Sequence, residues 1–341
     1  MKISRREFAA GLGGAAVAGA LPLAHAQAAR TVTSAVYPTS WDDAFRTHVA
    51  PVLKQKHNIN LALDPLFAVD QIAKARASRN VAPFDVFLLD PGPRVAGIDM
   101  KLFKKFDPTK LSNYSKLPKG FADEHGVAAS VQVVGIAYNP KKLQKPKSWN
   151  DLFKPEYVSR LGLTGFQTTY GTVSLIEIAK ANGGSETDVE PAFAKIKEAL
   201  PKVAAIAPPN AMSGLFQQGE IDLMYTNTYT VTTLRSRGVD IDFAVPETGG
   251  ISFPTTMHLA VNSKAEDEAY AYIDTVIDAA VQESLSKDPF YFVPVNSDTP
   301  LGEGVPMKNL SEISNFVSHD WTKINPLRPK WIERFNREAA R

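Results

Sequence analysis

The 341-residue sequence contains no cysteine. That absence excludes disulfides, thiolate metal centres and a cysteine nucleophile together. Histidine is scarce, and the residues beyond the first 26 (His48, His57, His125, His258 and His319) show neither an H-E-x-x-H pattern nor the close spacing of a zinc site. No G-x-S-x-G elbow, phosphate-binding loop or dinucleotide glycine pattern occurs, so catalysis is the remote alternative and no cofactor is expected. Net charge is also lacking: 38 basic against 36 acidic side chains leave +2. Three positive charges and one negative sit in the first 26 residues, and the remainder is close to neutral. Such a balance argues against nucleic acid or anionic lipid as a partner. Past the start of the chain, no apolar run approaches the ~20 residues of a membrane-spanning helix.

What is present at the start is an address. MKISRREFAAGLGGAAVAGALPLAHA has a basic opening (Lys2, Arg5, Arg6), a stretch of small apolar residues from Ala9 to Leu23, and the A-x-A pattern Ala24-His25-Ala26. Ser4, Arg5, Arg6 and Phe8 resemble the twin-arginine export signal. The expected product is periplasmic after cleavage near Ala26, and a chain of this length needs no staples to bury a core.

The rest alternates short apolar strands with amphipathic helices, the pattern of parallel sheets covered by helices. Strands are expected at Thr31–Tyr37, Asn58–Leu63, Phe84–Leu89, Ala129–Tyr138, Leu161–Thr164, Ile221–Tyr225, Phe243–Val245 and His258–Val261. Helices are expected from Trp41 behind Ser40, over Asp70–Ala77, from Trp149 behind Ser148, and over Gly171–Ala181, Glu190–Leu200, Met212–Gln217 and Ala271–Leu285. Ligands of open parallel sheets bind just beyond the carboxyl ends of strands, so the loops there are the places to look.

Several blocks, in order, carry a resemblance over nearly the whole chain after the leader. They are FDVFLLD (84–90), FDPTKLSNYSKL (106–117), GIAYNPKKL (135–143), PKSWNDLFKPEYVSRLGL (146–163), LFQQGEIDLMYTN (215–227), VPETGG (245–250) and FVPVN (292–296). Together they resemble the periplasmic substrate-binding proteins of ABC importers, the extracellular solute-binding group that includes spermidine and putrescine binders. The resemblance implies an α/β, two-lobed periplasmic binding protein fold of type II, each lobe a mainly parallel sheet flanked by helices, closing on a small molecule. It implies lobe 1 from residues 27–134 and 257–297, and lobe 2 from 135–256 and 298–341. The implied partners are a small-molecule ligand and an inner-membrane ABC permease, with no nucleic acid, and the expected state is a monomer.

The same segments place the cleft residues. From lobe 1 they are Tyr37, Ser40, Trp41 and Asp90, and from lobe 2 Gln167, Thr168, Thr169, Tyr170, Asn227, Thr228 and Tyr229. The loop SFPTTMH adds Phe253, Thr255 and Thr256, and Tyr291 precedes FVPVN. Each has a plainer reading: Trp41 or Phe253 as core, Ser40 as a cap, Asp90 as a turn former.

The chain departs from the polyamine binders where they place acidic residues, reading TGFQTTYGT and GGISFPTTMH without a carboxylate. An unpaired buried ammonium costs several kcal/mol, so a small polar or anionic organic solute is the preferred ligand. Thr168, Thr169 and Thr172 at a helix start suit an anion, and Arg94 is the basic residue nearest a cleft loop. Polyamine binding stays open because Asp42, Asp43 and Asp90 could supply charge from lobe 1. Ferric ion held by Tyr225, Tyr229 and Tyr291 is a further alternative, although no metal site is assigned.

Overall fold

Alternation along TVTSAV buries Val32, Ser34 and Val36, and this segment forms the strand from which the first parallel layer is built. The computed structural model describes residues 30–38, 40–78 and 81–340, and the export leader expected over 1–26 lies outside them. In chain order β1 (Arg30–Val36), α1 (Ser40–Ala44), α2 (Ala50–His57), β2 (Ile59–Pro65), α3 (Ala68–Ala77), β3 (Val86–Leu89) and α4 (Pro91–Asp99) come first. A short β4 (Ala122–Asp123) precedes the long β5 (Gly126–Tyr138). Next come α5 (Pro155–Val158), β6 (Gly162–Leu163), α6 (Thr169–Lys180), α7 (Glu190–Ala199), β7 (Ala205–Ile206), α8 (Pro209–Gln218), β8 (Leu223–Asn227), α9 (Thr228–Ser236) and β9 (Asp242–Ala244). The chain returns through β10 (Ile251–Leu259) and closes with α10 (Glu266–Val276), α11 (Ala279–Leu285), α12 (Trp321–Ile324) and α13 (Arg328–Ala339).

Parallel pairing holds at β1–β2, β1–β3 and β6–β7. The long strands β5 and β10 run antiparallel to each other, and they reach β3 on one side and β8 and β9 on the other. One continuous mixed sheet therefore passes through both halves of the molecule. Its side chains divide between separate cores. Val127 and Val131 of β5, with Met257 and Leu259 of β10, pack with Phe45, Leu88, Tyr272 and Val295. Farther along the same two strands, Val134 and Ile136, with Ile251 and Phe253, pack with Trp149, Phe166, Phe193 and Phe335. Truncating one of these buried aromatics to alanine costs about 3–5 kcal/mol. Gln132 sits between the two sets.

Two expectations are corrected. SFPTTMH is not a loop but most of β10. Pro254 has no N–H to give to a ladder, and the register against β5 slips between Thr255 and Thr256, which is the irregularity that hid the strand. The helix expected over Ala271–Leu285 is two helices. Asp278 takes extended backbone between them, and its carboxylate accepts from the N–H groups of Ala280 and Val281 to cap α11. The segment from Trp149 is a 3-10 turn with a full capping box between Ser148 and Asp151.

Behind β8, the fully buried Asp222 carboxylate receives Arg160, Lys142 Nζ at 3.0 Å and Asn139 Nδ2 at 3.2 Å. These bonds fix the start of β8 to the turn after β5 and to the end of α5.

Candidate functional site

Strands β1, β3 and β8 end at one place, together with the N-terminus of α6 and the middle of β5 and β10. Asp90 stands at the N-cap position of α4 yet makes no capping bond to its own helix. Its carboxylate turns across the boundary instead: Thr169 Oγ1 donates to Oδ2 at 2.9 Å, and Thr255 Oγ1 donates to Oδ1 at 3.1 Å. Gln132 Nε2 donates to Thr255 Oγ1 at 3.2 Å, and Asn227 Nδ2 donates to Gln132 Oε1 at 3.1 Å. A line of polar groups therefore runs Thr169–Asp90–Thr255–Gln132–Asn227, drawn from both cores' elements.

Burial pushes the Asp90 carboxyl above its usual range, against the neighbouring hydroxyls and the more distant Arg328 charge, which all favour ionisation. Among the described residues no lysine or arginine lies at ion-pair distance from it. Tyr37, just past β1, has its hydroxyl buried close to Asp90 but outside hydrogen-bond geometry. Burial first, then the Asp90 charge, push this phenol well up.

Two cavities flank the polar line. The smaller, about 40 Å³, is walled by Trp41, Tyr229, Tyr291 and Phe292, with Gln132 and Asn227 among its polar groups. Trp41 lies 4.4 Å from Phe292 and 5.8 Å from Tyr37 between ring centroids, and Tyr229 meets Phe292 edge-on at 6.1 Å. Tyr291 holds a left-handed backbone at φ 50°, costly for a bulky residue, and its hydroxyl donates to Asp288 Oδ1 at 2.6 Å. The larger cavity, about 300 Å³, is bounded by Arg94, Phe121, Phe253, Thr256, His319 and Trp321.

The expected residues thus separate. Tyr37, Asp90, Thr169 and Thr255 gather at the polar centre, while Trp41, Asn227, Thr228, Tyr229 and Tyr291 line the smaller cavity. Phe253 and Thr256 line the larger one, and Thr256 Oγ1 also bonds Leu89 O at 3.2 Å and His258 Nε2 at 2.7 Å. Ser40 opens α1 and is half-buried. Thr168 is a cap: its Oγ1 accepts from Gly171 N at 3.1 Å. Gln167 is exposed, and Tyr170 packs against the second core, where burial takes its phenol to about 12. Tyr225 is buried with its hydroxyl donating to Thr164 O, so it is not grouped with Tyr229 and Tyr291. Among the described residues no cluster of three histidine or acidic side chains is placed to hold a metal. Asp42 pairs with Arg46 at 3.0 Å and Asp43 is exposed, so of these three carboxylates Asp90 is the one at the centre.

Sequence reasoning passed over Gln132, Phe292 and Arg328. Gln132 had a signal, a single amide inside the apolar run ASVQVVGIAY. Phe292 lies in the FVPVN block without being assigned to the cleft. Arg328 has no local signal. From the start of α13 it donates to Thr172 Oγ1 at 2.8 Å and to the carbonyls of Phe166 and Gln167, and so fixes the loop that carries Thr169.

The sequence model of the bacterial extracellular solute-binding protein family matches residues 84–316, about two thirds of the chain. The chain belongs to that family. It is 26% identical over 206 residues to the spermidine/putrescine-binding periplasmic protein of Escherichia coli, covering 57% of this chain and 58% of that one. It is 25% identical over 190 residues to the gamma-aminobutyric acid-binding protein of Pseudomonas aeruginosa, covering 52% and 53%. The matched segments therefore span little more than half the length of either relative. A crystal structure of an ABC transporter protein from Clostridium perfringens superposes with a TM-score of 0.75 at 22% identity, over 90% of this chain and 99% of that one. The two-lobed periplasmic binding protein fold is thereby shared. Among the described residues no helix is long and apolar enough to cross a membrane.

Proposed function

We propose that this chain captures an amine-bearing small organic solute between two lobes in the periplasm and delivers it to an inner-membrane ABC permease. The observation that carries this reading is Asp90: a buried carboxylate without a cationic partner at bonding distance, linked through Thr255 and Gln132 to a cavity walled by aromatic rings. An ammonium there would supply the missing charge, and aromatic faces attract cations. The anionic alternative has less to use, because the hydroxyls of Thr169 and Thr172 already donate to Asp90 and to Phe166 O. Polyamine-binding and γ-aminobutyrate-binding relatives agree with an amine.

In this reading lobe 1 is residues 27–134 with 257–297, and lobe 2 is 135–256 with 298–341. Closing brings Thr169 of lobe 2 onto Asp90 of lobe 1. Bound solute favours the closed form by touching both lobes, and the permease reads that form. The chain acts as a monomer, reaches the periplasm behind a leader cleaved near Ala26, and carries out no chemical step on its solute.

A thermal-shift panel of amines, carboxylates, phosphonates and sugars tests the ligand class, because a solute that binds only the native state raises Tm. Amines are expected to give the largest rise. A panel in which only phosphonates or sugars respond would overturn the amine assignment.

A further inference from the structure

The turn Asp90-Pro91-Gly92-Pro93 that opens α4 is built for close approach by another element. Pro91 and Pro93 carry no N–H, and Arg94 N is bonded to Asp90 O at 3.0 Å, so this helix start is stiff and poor in free donors. It makes a contact surface rather than an anion site. Gly92 is buried there, and a Cβ at this position would stand 2.9 Å from Asn325 Oδ1 and 3.0 Å from the Trp321 ring. Asn325 Nδ2 donates to Gly92 O at 2.8 Å. The missing side chain is what lets Trp321 and Asn325, at the two ends of α12, reach the backbone of α4.

The two sides of this contact are anchored in different cores. Gly97 holds α4 against Phe103, which packs with Phe87 and Leu89 of β3. Trp321 and Ile324 are buried in the other core with Phe166 and Phe335. Farther on, Arg328 donates to Thr172 Oγ1 at 2.8 Å and to Phe166 O, and so holds the loop from which Thr169 reaches Asp90. Residues 321–328 therefore meet the tip of α4 twice, directly through Asn325 and indirectly through Thr169. Neither contact is made by β5 or β10, the strands that run through both halves. Gly92 and Asn325 line neither of the two cavities that flank the polar centre.

We infer that α12 is a latch between the lobes: Asn325 and Trp321 seat on the bare backbone of Gly92, and this contact stabilises the closed form independently of solute. The inference rests on the lobe boundaries and closing motion proposed above, since Gly92 falls in lobe 1 and Asn325 in lobe 2. A closed form held by the protein's own contacts is populated before solute arrives, and apparent affinity rises with that population. Gly92 and Asn325 are positioning residues, because what they set is the distance between the lobes.

The test reads that distance. The chain has no cysteine, so Asp99→Cys on α4 and Asn336→Cys on α13 give two exposed sites for spin labels in an otherwise unchanged protein. Pulsed dipolar spectroscopy of the solute-free, doubly labelled protein is expected to show a short distance, alone or beside a longer one. Gly92→Leu, which places a side chain where α12 sits, should lower the ratio of short to long at least about tenfold, and Gly92→Ala less. Asn325→Ala should lower it about threefold, the scale of one hydrogen bond. Circular dichroism spectra should stay those of the parent. If Gly92→Leu fails to fold, Asn325→Ala decides. A ratio that both variants leave unmoved, or a solute-free protein with the longer distance alone, overturns the latch, while closure stands if putrescine or γ-aminobutyrate shortens the distance. A single distance that neither variant nor either amine moves means that the lobes do not close, and the closing motion fails together with this inference.

Discussion

Thr169 Oγ1 donates to Asp90 Oδ2 across 2.9 Å, joining the N-terminus of α6 to the end of β3. These residues belong to elements packed on different cores, so the bond exists only when the two halves are together. It places a carboxylate where it is buried, hydrogen-bonded and short of positive charge.

Asp90→Asn should separate stability from binding. Burial holds this carboxyl above its usual range, so the folded chain keeps the proton more tightly than the unfolded one. The associated stability is full below the ordinary carboxyl value and is lost as pH rises through the raised one. At neutral pH the ionised group is therefore a burden on the solute-free protein. The asparagine variant is expected to melt a few degrees higher than wild type at pH 7 and to lose the rise in Tm given by amines. Scanning fluorimetry with and without solute reads both, and an unchanged amine response would sink the role given to Asp90.

Gln132→Leu keeps volume but cuts the links to Thr255 and Asn227. A hydrogen bond of this kind contributes about 0.5–1.5 kcal/mol, and a partner left buried and unpaired costs about 1–3 kcal/mol. Solute affinity is expected to fall about tenfold, since the bonds join β5 to β10 and β8 at the site. Titration of the variant checks this, and wild-type affinity would show that Gln132 only braces the sheet.

His258 predicts an acid slope. Burial, with a smaller contribution from the Arg94 charge, pushes its imidazole down to about 3, and the ring stacks on Phe103 at 4.4 Å. The sign is opposite to that of Asp90: the stability tied to neutral His258 is present above the ordinary histidine value and lost as pH falls toward about 3. Urea midpoints should therefore drop between pH 6 and pH 3, and His258→Gln should flatten that drop. The contribution of the ring is of the order of a few kcal/mol at the acid end. An identical slope in the variant would assign the acid loss to other groups.

Asp222→Ala removes the carboxylate that Arg160 and Lys142 converge on. Lys142 and Arg160, left behind, are partly exposed to water, so the cost falls below that of a fully buried pair, to about 1–3 kcal/mol. Urea unfolding should show a loss of that size, while the variant still folded at low temperature binds solute normally. A loss below about 1 kcal/mol would mean that solvent replaces the carboxylate.

Much of the fold was legible in the chain because the responsible signals are local. Ser148 and Asp151 form their capping box within four residues, and Gly219 ends α8 with φ 74° where a side chain would be strained. β10 was only partly legible, since Pro254 and the register slip beside it imitate a loop. The site divides in the same way. Tyr229 and Asn227 follow a recognisable strand, but the sequence could not tell whether Asp90 caps its own helix or reaches away from it. That choice depends on Thr169 and Thr255, 79 and 165 residues distant. The engagement of Arg328 with the loop before α6 spans 156 residues to Thr172 and leaves no local pattern.

The sequence by itself determined the alternation of strands and helices, the block order of the extracellular solute-binding family, and the poverty of cysteine, histidine clusters and catalytic motifs. Those properties reside in spacing along the chain. Only the tertiary structure decided which polar groups remain free. Thr169 and Thr172, expected to receive an anion, already donate to Asp90 and Phe166 O, whereas Asp90 lacks a cation at bonding distance. The physical reason is that hydrogen-bond satisfaction is a property of neighbours in space, and here those neighbours come from two halves of the chain brought together along β5 and β10.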